Sequence, residues 1–302
     1  MMKSKTVLTV GTSLASLLLV AGCGSGGGPT VGAASGPSAQ PSSGGAPGSP
    51  SASSTSPSSS PSPTSTAVSF KAGQCLNDQP SWTDVPCDGP HFYEVASVVK
   101  DSKYAGDLVK RAAYRSSVCD EKVGEYLDGP AYGSLLLGAP LPVAADPDNS
   151  RQIVCVASQQ KADDSGVVAR TSSLKGALRG NGFFAYRMCL DGKASSSANV
   201  KLVSCTGPHV SEATYGFIMG KWGDKFPGAA SINQTSLNTC EAKDKAYVGG
   251  VTRDDISFAQ NSSGQGPWDK GHRLTVCFVQ VNSGTVTGTM RNLRHKSISS
   301  IR

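Results

Sequence analysis

Two stretches of this sequence share one pattern: CDGPHFYE at residues 87–94 and CTGPHVSE at residues 205–212. Each contains a cysteine, a Gly-Pro dipeptide, a histidine and a glutamate at the same spacing. Gly-Pro is typical of a turn, and the β-branched and apolar residues that follow are typical of a strand. The two stretches therefore indicate an internal repeat in which a turn leads into a strand.

The repeat extends to four cysteines in each half of the folded part of the chain. They are Cys75, Cys87, Cys119 and Cys155 in the first half, and Cys189, Cys205, Cys240 and Cys277 in the second. In both halves a lysine and a tyrosine follow the third cysteine at the same offsets, and an arginine lies four residues before the fourth. These matched positions indicate duplicated structure as well as duplicated cysteines.

Hydrophobic periodicity predicts the order strand, strand, helix, strand in each half, with a long loop before the last strand. Helices are predicted over residues 108–127 and 229–248, and the fourth cysteine of each half lies in a predicted strand. The predicted fold class is α+β. It consists of two tandem, small, disulfide-stapled modules, each an antiparallel sheet with one main helix, after a disordered tether.

An even number of cysteines in the folded part of an exported protein indicates disulfides. Several connectivities within each module are compatible with the spacing. We favour neighbouring pairs, because the first would join two adjacent strands and the second would attach the helix to the last strand. These pairs are Cys75–Cys87, Cys119–Cys155, Cys189–Cys205 and Cys240–Cys277.

The N-terminus has the features of an export signal. A basic start precedes an apolar stretch over residues 6–20, which is too short to span a membrane, and Ala21 and Gly22 precede Cys23. This resembles the bacterial lipobox. We predict a lipoprotein signal peptide over residues 1–22 and diacylglycerol on Cys23, with palmitate among the acyl chains. An ordinary secretory signal with an unmodified cysteine is the alternative.

The segment after Cys23 has an unusual composition. Residues 24–67 are Gly, Ser, Pro, Ala or Thr except for Val31 and Gln40, and none is charged. Such a segment cannot bury enough apolar surface to fold, so residues 23–68 are predicted to be a disordered tether. It would be a spacer, a neutral filler or a glycosylated stalk. The modules are then predicted over residues 69–170 and 171–302, the second with a basic tail.

These motifs resemble the septum-formation-related domain of actinobacterial envelope proteins. Residues 73–95 carry the resemblance best in the first half, and residues 203–212 and 268–277 carry it in the second. The first half departs from the family pattern before its last cysteine. The resemblance implies an extracytoplasmic module connected with cell division, and it implies no catalytic activity.

The candidate ligand or partner contacts are His91, Glu94, His209, Glu212, Arg151 and Arg273. In a strand, residues three apart point to opposite faces, which disfavours a joint His–Glu site. One histidine and one carboxylate per half are also too few for a usual zinc site. We therefore expect the histidines to hydrogen-bond the turn or pack under the disulfide, and the arginines to contact a ligand or pair with the two glutamates. No catalytic residue, metal or cofactor is predicted.

Charge is distributed unevenly along the chain, whose overall pI is about 8.8. Residues 69–164 carry 9 Lys/Arg and 14 Asp/Glu, whereas residues 165–302 carry 17 and 8. A basic half favours an anionic partner, such as an envelope polymer, lipid headgroups or an acidic protein face. A solvated face that only keeps the protein soluble explains the charge equally well. The export signal argues against nucleic acid.

The leading hypothesis is a membrane-anchored extracytoplasmic lipoprotein on the outer face of the cell membrane, held by diacylglycerol on Cys23. It would be a binding or scaffold module of the cell envelope, associated with division through the family resemblance. The alternative is an envelope hydrolase or metal-dependent enzyme that uses the repeated GPHxxE motifs. The sequence favours the binding module, since it contains no P-loop, HExxH or Rossmann fingerprint.

Overall fold

The computed structural model describes residues 69–77, 82–146, 148–196 and 200–302. Each half of this part of the chain forms a five-stranded antiparallel sheet with one long helix packed against it. The predicted signal peptide, Cys23 and the tether lie outside the described residues, so those predictions stay predictions. Among the described helices, none has the length and apolar character needed to cross a membrane.

The two halves contain equivalent elements in the same order. The first comprises β1 (Cys75–Leu76), β2 (Asp84–Val85), β3 (Tyr93–Lys100), α1 (Leu108–Leu127), β4 (Leu136–Pro140) and β5 (Gln152–Gln159). The second comprises α2 (Gly182–Ala185), β6 (Cys189–Leu190), β7 (Leu202–Val203), β8 (Ser211–Ile218), α3 (Ala229–Tyr247), β9 (Ile256–Ser262), α4 (Gln265–Asp269) and β10 (Leu274–Val281), and a 3₁₀ helix follows at Ile298–Ile301.

The strand orders β2-β1-β3-β5-β4 and β7-β6-β8-β10-β9 are equivalent. The α+β prediction is therefore confirmed. The prediction of a long loop before each last strand is wrong in one respect. The segment contains an edge strand, β4 or β9, that pairs with the last strand of its sheet. These edge strands gain their backbone hydrogen bonds from tertiary pairing, which local hydrophobic patterning does not reveal.

Four disulfides staple the two sheets to their helices and turns. Cys75–Cys87 and Cys189–Cys205 connect the first strand of each half to its Gly-Pro turn. Cys119–Cys155 and Cys240–Cys277 connect the long helix to the last strand. These are the neighbouring pairs that the sequence favoured.

Helix α1 shows why the chain folds in this way. Asp107 caps its N-terminus by accepting a hydrogen bond from the Lys110 N–H. Cys119, Val123 and Leu127 are completely buried against the sheet, because residues four apart lie on the same face of a helix. Burying these apolar side chains provides the main stabilisation of the first module.

The two modules are in direct contact. Leu135 N–H donates to the Tyr186 carbonyl at 2.7 Å, and Met188 N–H donates to the Gly133 carbonyl at 2.8 Å. A Cβ atom added at Gly271 would lie 2.0 Å from the Ala113 carbonyl oxygen, so only glycine allows this approach to α1. The repeats thus share a close-packed contact.

Candidate functional site: the paired His–Glu–Tyr networks

The repeated motif of the first module forms a buried ion pair. His91 Nε2 lies 3.2 Å from Glu94 Oε1, and His91 Nδ1 lies 3.0 Å from the Gly89 carbonyl oxygen. Each side chain is only 1% exposed. Both ring nitrogens therefore lie within hydrogen-bond distance of an oxygen atom.

Both oxygens of Glu94 accept further hydrogen bonds from other parts of the chain. The Tyr126 hydroxyl in α1 donates to Oε2 at 2.7 Å, and the Ser173 hydroxyl donates to the same atom at 2.8 Å. The Leu174 N–H donates to Oε1 at 2.7 Å. The carboxylate therefore connects the Gly-Pro turn, the long helix and a segment 79 residues further along the chain.

The second module repeats this arrangement almost atom for atom. His209 Nε2 lies 2.9 Å from Glu212 Oε1, and Nδ1 lies 2.8 Å from the Gly207 carbonyl oxygen. The Tyr247 hydroxyl and the Thr289 hydroxyl donate to Glu212 Oε2, the latter at 3.0 Å. The Met290 N–H donates to Oε1 at 3.0 Å.

We call residues 170–178 and 286–294 the closing segments, because each completes the network of its module. The backbone of Arg170 exchanges two hydrogen bonds with His91, and that of Val286 exchanges two with His209. The predicted boundary at residue 170 stays a prediction, but Ser173 and Leu174 beyond it hydrogen-bond to the first module.

Sequence reasoning missed the closing segments because they lie at different distances from the fourth cysteine in the two halves. A signal is nevertheless present: Ser173-Leu174-Lys175 and Thr289-Met290-Arg291 are both a hydroxyl, an apolar and a basic residue. Helical spacing predicts that Tyr126 and Tyr247 face the core, and the structure shows that their hydroxyls also donate to the glutamates.

The expectation that histidine and glutamate point to opposite faces is wrong. His91 precedes β3, which begins at Tyr93, so its side chain follows the Gly-Pro turn and not the alternation of a strand. The expectation that the histidines hydrogen-bond the turn is confirmed by their contacts with Gly89 and Gly207.

The two candidate arginines lie elsewhere, so their predicted pairing with the glutamates is wrong. Arg151 is mostly exposed and pairs with Asp148 at 2.6 Å, because both belong to the turn before β5. Arg273 is buried between the modules, where its guanidinium lies over the rings of Trp222 and Trp268. The arginine near Glu212 is Arg187, whose Nε lies 3.5 Å from Oε2.

The surroundings shift the pKa values of the glutamate and the tyrosine of the second network in opposite directions. Burial by itself would raise the pKa of Glu212, but hydrogen bonds from His209, Tyr247 and Met290 and the charge of Arg187 together lower it below the usual value. Burial, with the nearby carboxylate, raises the pKa of Tyr247. In the first network, burial raises the pKa of Tyr126 to about 12. The tyrosines therefore remain protonated donors.

One group in the first module has the composition of a metal site. Ligand atoms of Cys75, His91 and Glu94 lie within 4.8 Å of one another, and all three residues are buried. The Cys75 sulfur is bonded to Cys87, however, so it is not a thiolate ligand. Both Glu94 oxygens also accept hydrogen bonds from the protein. The residues therefore fit a structural ion pair beneath a disulfide better than a metal centre.

A family model described as septum formation matches residues 72–277, a span that includes both Gly-Pro-His motifs and all eight cysteines of the folded part. No curated protein and no solved structure matches the chain significantly.

Proposed function

Because this chain belongs to the septum-formation family, we propose that it is a lipid-anchored binding or scaffold module on the outer face of the cell membrane. The family match supports a division-associated role in the cell envelope at a coarse level. Disulfides are typical of compartments outside the cytoplasm, which fits this location. Attachment through Cys23 and the binding role are the finer parts of the proposal.

The observation that carries the proposal is the burial of both His–Glu–Tyr networks. The histidines and glutamates are at most 1% exposed, and both oxygens of each glutamate accept hydrogen bonds from the protein. Protein donors therefore occupy the carboxylate oxygens that a substrate would need. The repeated motif therefore supports a structural role rather than a hydrolase, because each glutamate holds the Gly-Pro-His turn, the long helix and the closing segment together. We call this arrangement the clamp of each module. Contacts with other molecules would then be made by the protein surface.

The chain at residues 294–296, where the second closing segment ends, offers the best anionic-partner surface. Its backbone is held in place, because Arg294 N–H donates to the Val248 carbonyl at 2.7 Å and the Arg253 guanidinium donates to the Lys296 carbonyl at 2.8 Å. The side chains of Arg294, His295 and Lys296 are exposed. We call the exposed residues Lys245, Arg294, His295 and Lys296 the basic surface, since α3 ends beside this segment. Its charge favours an anionic envelope polymer or lipid surface.

Photo-crosslinking in living cells, followed by identification of the captured partners, tests the proposed role. The full chain should capture envelope components, and Cys23→Ser should reduce this capture by releasing the protein from the membrane. Unchanged capture and unchanged membrane fractionation of Cys23→Ser would contradict the anchor.

Sedimentation with vesicles tests the basic surface separately from the anchor, in chains that all carry Cys23→Ser. Lys245→Gln/Arg294→Gln/Lys296→Gln should weaken binding to anionic vesicles, and raised salt should weaken it further. A matched control removes three exposed lysines from the first module, with Lys71→Gln/Lys100→Gln/Lys110→Gln. Equal binding to neutral and anionic vesicles would exclude an anionic lipid surface as the partner and leave an anionic envelope polymer as the candidate.

A further inference from the structure

Two equivalent core positions are apolar in the first module and polar in the second. Ala96 and Val123 are buried in the first module, and Thr214 and Asp244 are buried at the same offsets from the glutamate and the helical cysteine of the second. The Thr214 hydroxyl donates to Asp244 Oδ1. An apolar contact of the first module is thus replaced by a carboxyl group inside the second.

Asp244 has fewer partners than the other buried carboxylates of the described residues. Glu94 pairs with His91, Glu212 with His209, and Asp120 with His272. Asp146 Oδ2 also lacks a partner, but Asp146 Oδ1 accepts two hydrogen bonds, whereas Asp244 accepts only one in the described part of the chain. Asp244 is 0% exposed, and its Oδ2 has no hydrogen-bond partner in the described part of the chain. A buried, unpartnered carboxylate oxygen is costly unless something else supplies the missing donor.

A cavity of about 330 Å³ lies at this position between α3 and the edge strand β9. Asp244 and Glu241 contribute acidic groups to its lining, Gln234 and Asn238 contribute amides, and Leu237 and Phe258 contribute apolar surface. In the first module Gly138, which has the strand position of Phe258, lies directly against Val123. At this position the first module has a close backbone contact, and the second has Phe258 beside the cavity.

We propose that this cavity binds a primary alkylammonium group. Its entry turns the Asp244 side chain, which is 0% exposed in the empty site, so that the ammonium donates to Oδ2 while its methylene chain lies against Leu237 and Phe258. The volume is sufficient for a lysine-like side chain or a small free amine. An ammonium group supplies the hydrogen-bond donor and the positive counter-charge that Asp244 lacks, and Glu241 adds a second negative charge to the lining of the cavity. Burial raises the pKa of empty Asp244 to about 8, so binding would release a proton from it. This site is separate from the basic surface and does not depend on the anchor.

The test is an NMR titration of the full chain carrying Cys23→Ser, with its disulfides intact. The probe is n-butylammonium, and the comparison ligands are the neutral 1-pentanol and the anionic butyrate. We expect the amine to shift the signals of residues 234–244 and 258–259 saturably, and to bind at least about tenfold more tightly than the alcohol. Equal binding of amine and alcohol, or no saturable shift, would overturn the proposal. Because this comparison uses unmodified Asp244, it remains decisive even where a variant misfolds.

Two variants assign the site to Asp244. Asp244→Asn keeps the size of the side chain and should weaken amine binding at least about tenfold. Thr214→Ala/Asp244→Val installs the residues of the first module, so it should fold and lose amine binding while keeping the vesicle binding of the basic surface. Undiminished amine affinity in either folded variant would contradict the assignment. The two possible sources of the amine are separated by acetyl-lysine methylamide: tighter binding than butylammonium indicates a chain-borne lysine, and weaker binding indicates a free amine.

Discussion

The two modules share the clamp but differ in their cores. The shared residues maintain the fold, and the residues that differ distinguish one module from the other. In both, a buried glutamate connects the Gly-Pro-His turn, the helix tyrosine and a closing segment. In the second module an arginine, Arg187, approaches the clamp, and a carboxyl, Asp244, replaces the valine of the first. The shared clamp is therefore structural, and the changed residues are where function is expected to differ.

We expect the largest difference in stability between the modules when the glutamates are removed. Glu212→Ala should lower the free energy of unfolding by about 3–5 kcal/mol, because it leaves His209 and Arg187 without their counter-charge. Glu94→Ala should cost less, since among the described residues only His91 forms an ion pair with Glu94. Urea unfolding followed by circular dichroism measures both. Exposed Glu125→Ala is the control and should change little. A larger loss for Glu94→Ala would contradict the added role of Arg187.

The helix-to-strand disulfides should contribute equally in the two modules. Cys119–Cys155 and Cys240–Cys277 close loops with sequence separations of 36 and 37, so replacing either pair with alanines should cost about 2–4 kcal/mol. The shorter Cys75–Cys87 loop should contribute less in the same urea experiment. A large inequality between the two long-loop variants would show that the modules are not energetically equivalent.

Stability should depend on pH through Asp244 in the second module only, since the first has Val123 there. Burial raises the pKa of Asp244 from 3.8 to about 8, so the folded chain retains a proton that the unfolded chain releases. Its contribution is complete below about pH 4 and is lost as the pH rises towards 8. Relative to Asp244→Asn, the wild type should lose about 2 kcal/mol between pH 5 and pH 7. Urea unfolding at both pH values measures this loss.

Glu212 makes the opposite pH-dependent contribution to the free energy of unfolding. The pKa of Glu212 is lowered, so its contribution is present above its usual pKa and is lost as the pH falls. This contribution is common to the wild type and Asp244→Asn and cancels in their difference. A difference that stays flat, or grows in favour of the wild type as the pH rises, would show that Asp244 is ionised in the fold.

The smallest expected effects come from the tyrosine hydroxyls. Tyr247→Phe should cost about 1.5 kcal/mol and Tyr126→Phe about 1 kcal/mol, because each glutamate keeps its other donors and Tyr247 is the more buried of the two. Thermal unfolding with intact disulfides measures both. Tyr215→Phe, outside the networks, is the control, because the packing of its ring against Phe217 and Lys243 does not need the hydroxyl. If neither substitution changes stability, the hydroxyls are not part of the clamp.

Much of the fold could be predicted because its signals are local. The residue spacing predicted α1 at its observed bounds and α3 to within one residue, since helical periodicity depends on neighbouring residues. The edge strands and the His–Glu contact could not be predicted in this way. They depend on pairing with a distant strand and on the direction of a turn that precedes β3.

The sequence by itself determined the repeat, the fold class and the residues of the two glutamate motifs, because these appear as composition and spacing along the chain. Only the tertiary structure decided what those residues do. Glu94 accepts a hydrogen bond from Ser173, which lies 79 residues further along the chain, and Glu212 accepts one from Thr289, 77 residues further along. The unpartnered oxygen of Asp244 likewise becomes visible only when α3 packs beside β9. Contacts at such separations form because the whole module buries its apolar surface, and no local pattern of residues encodes them.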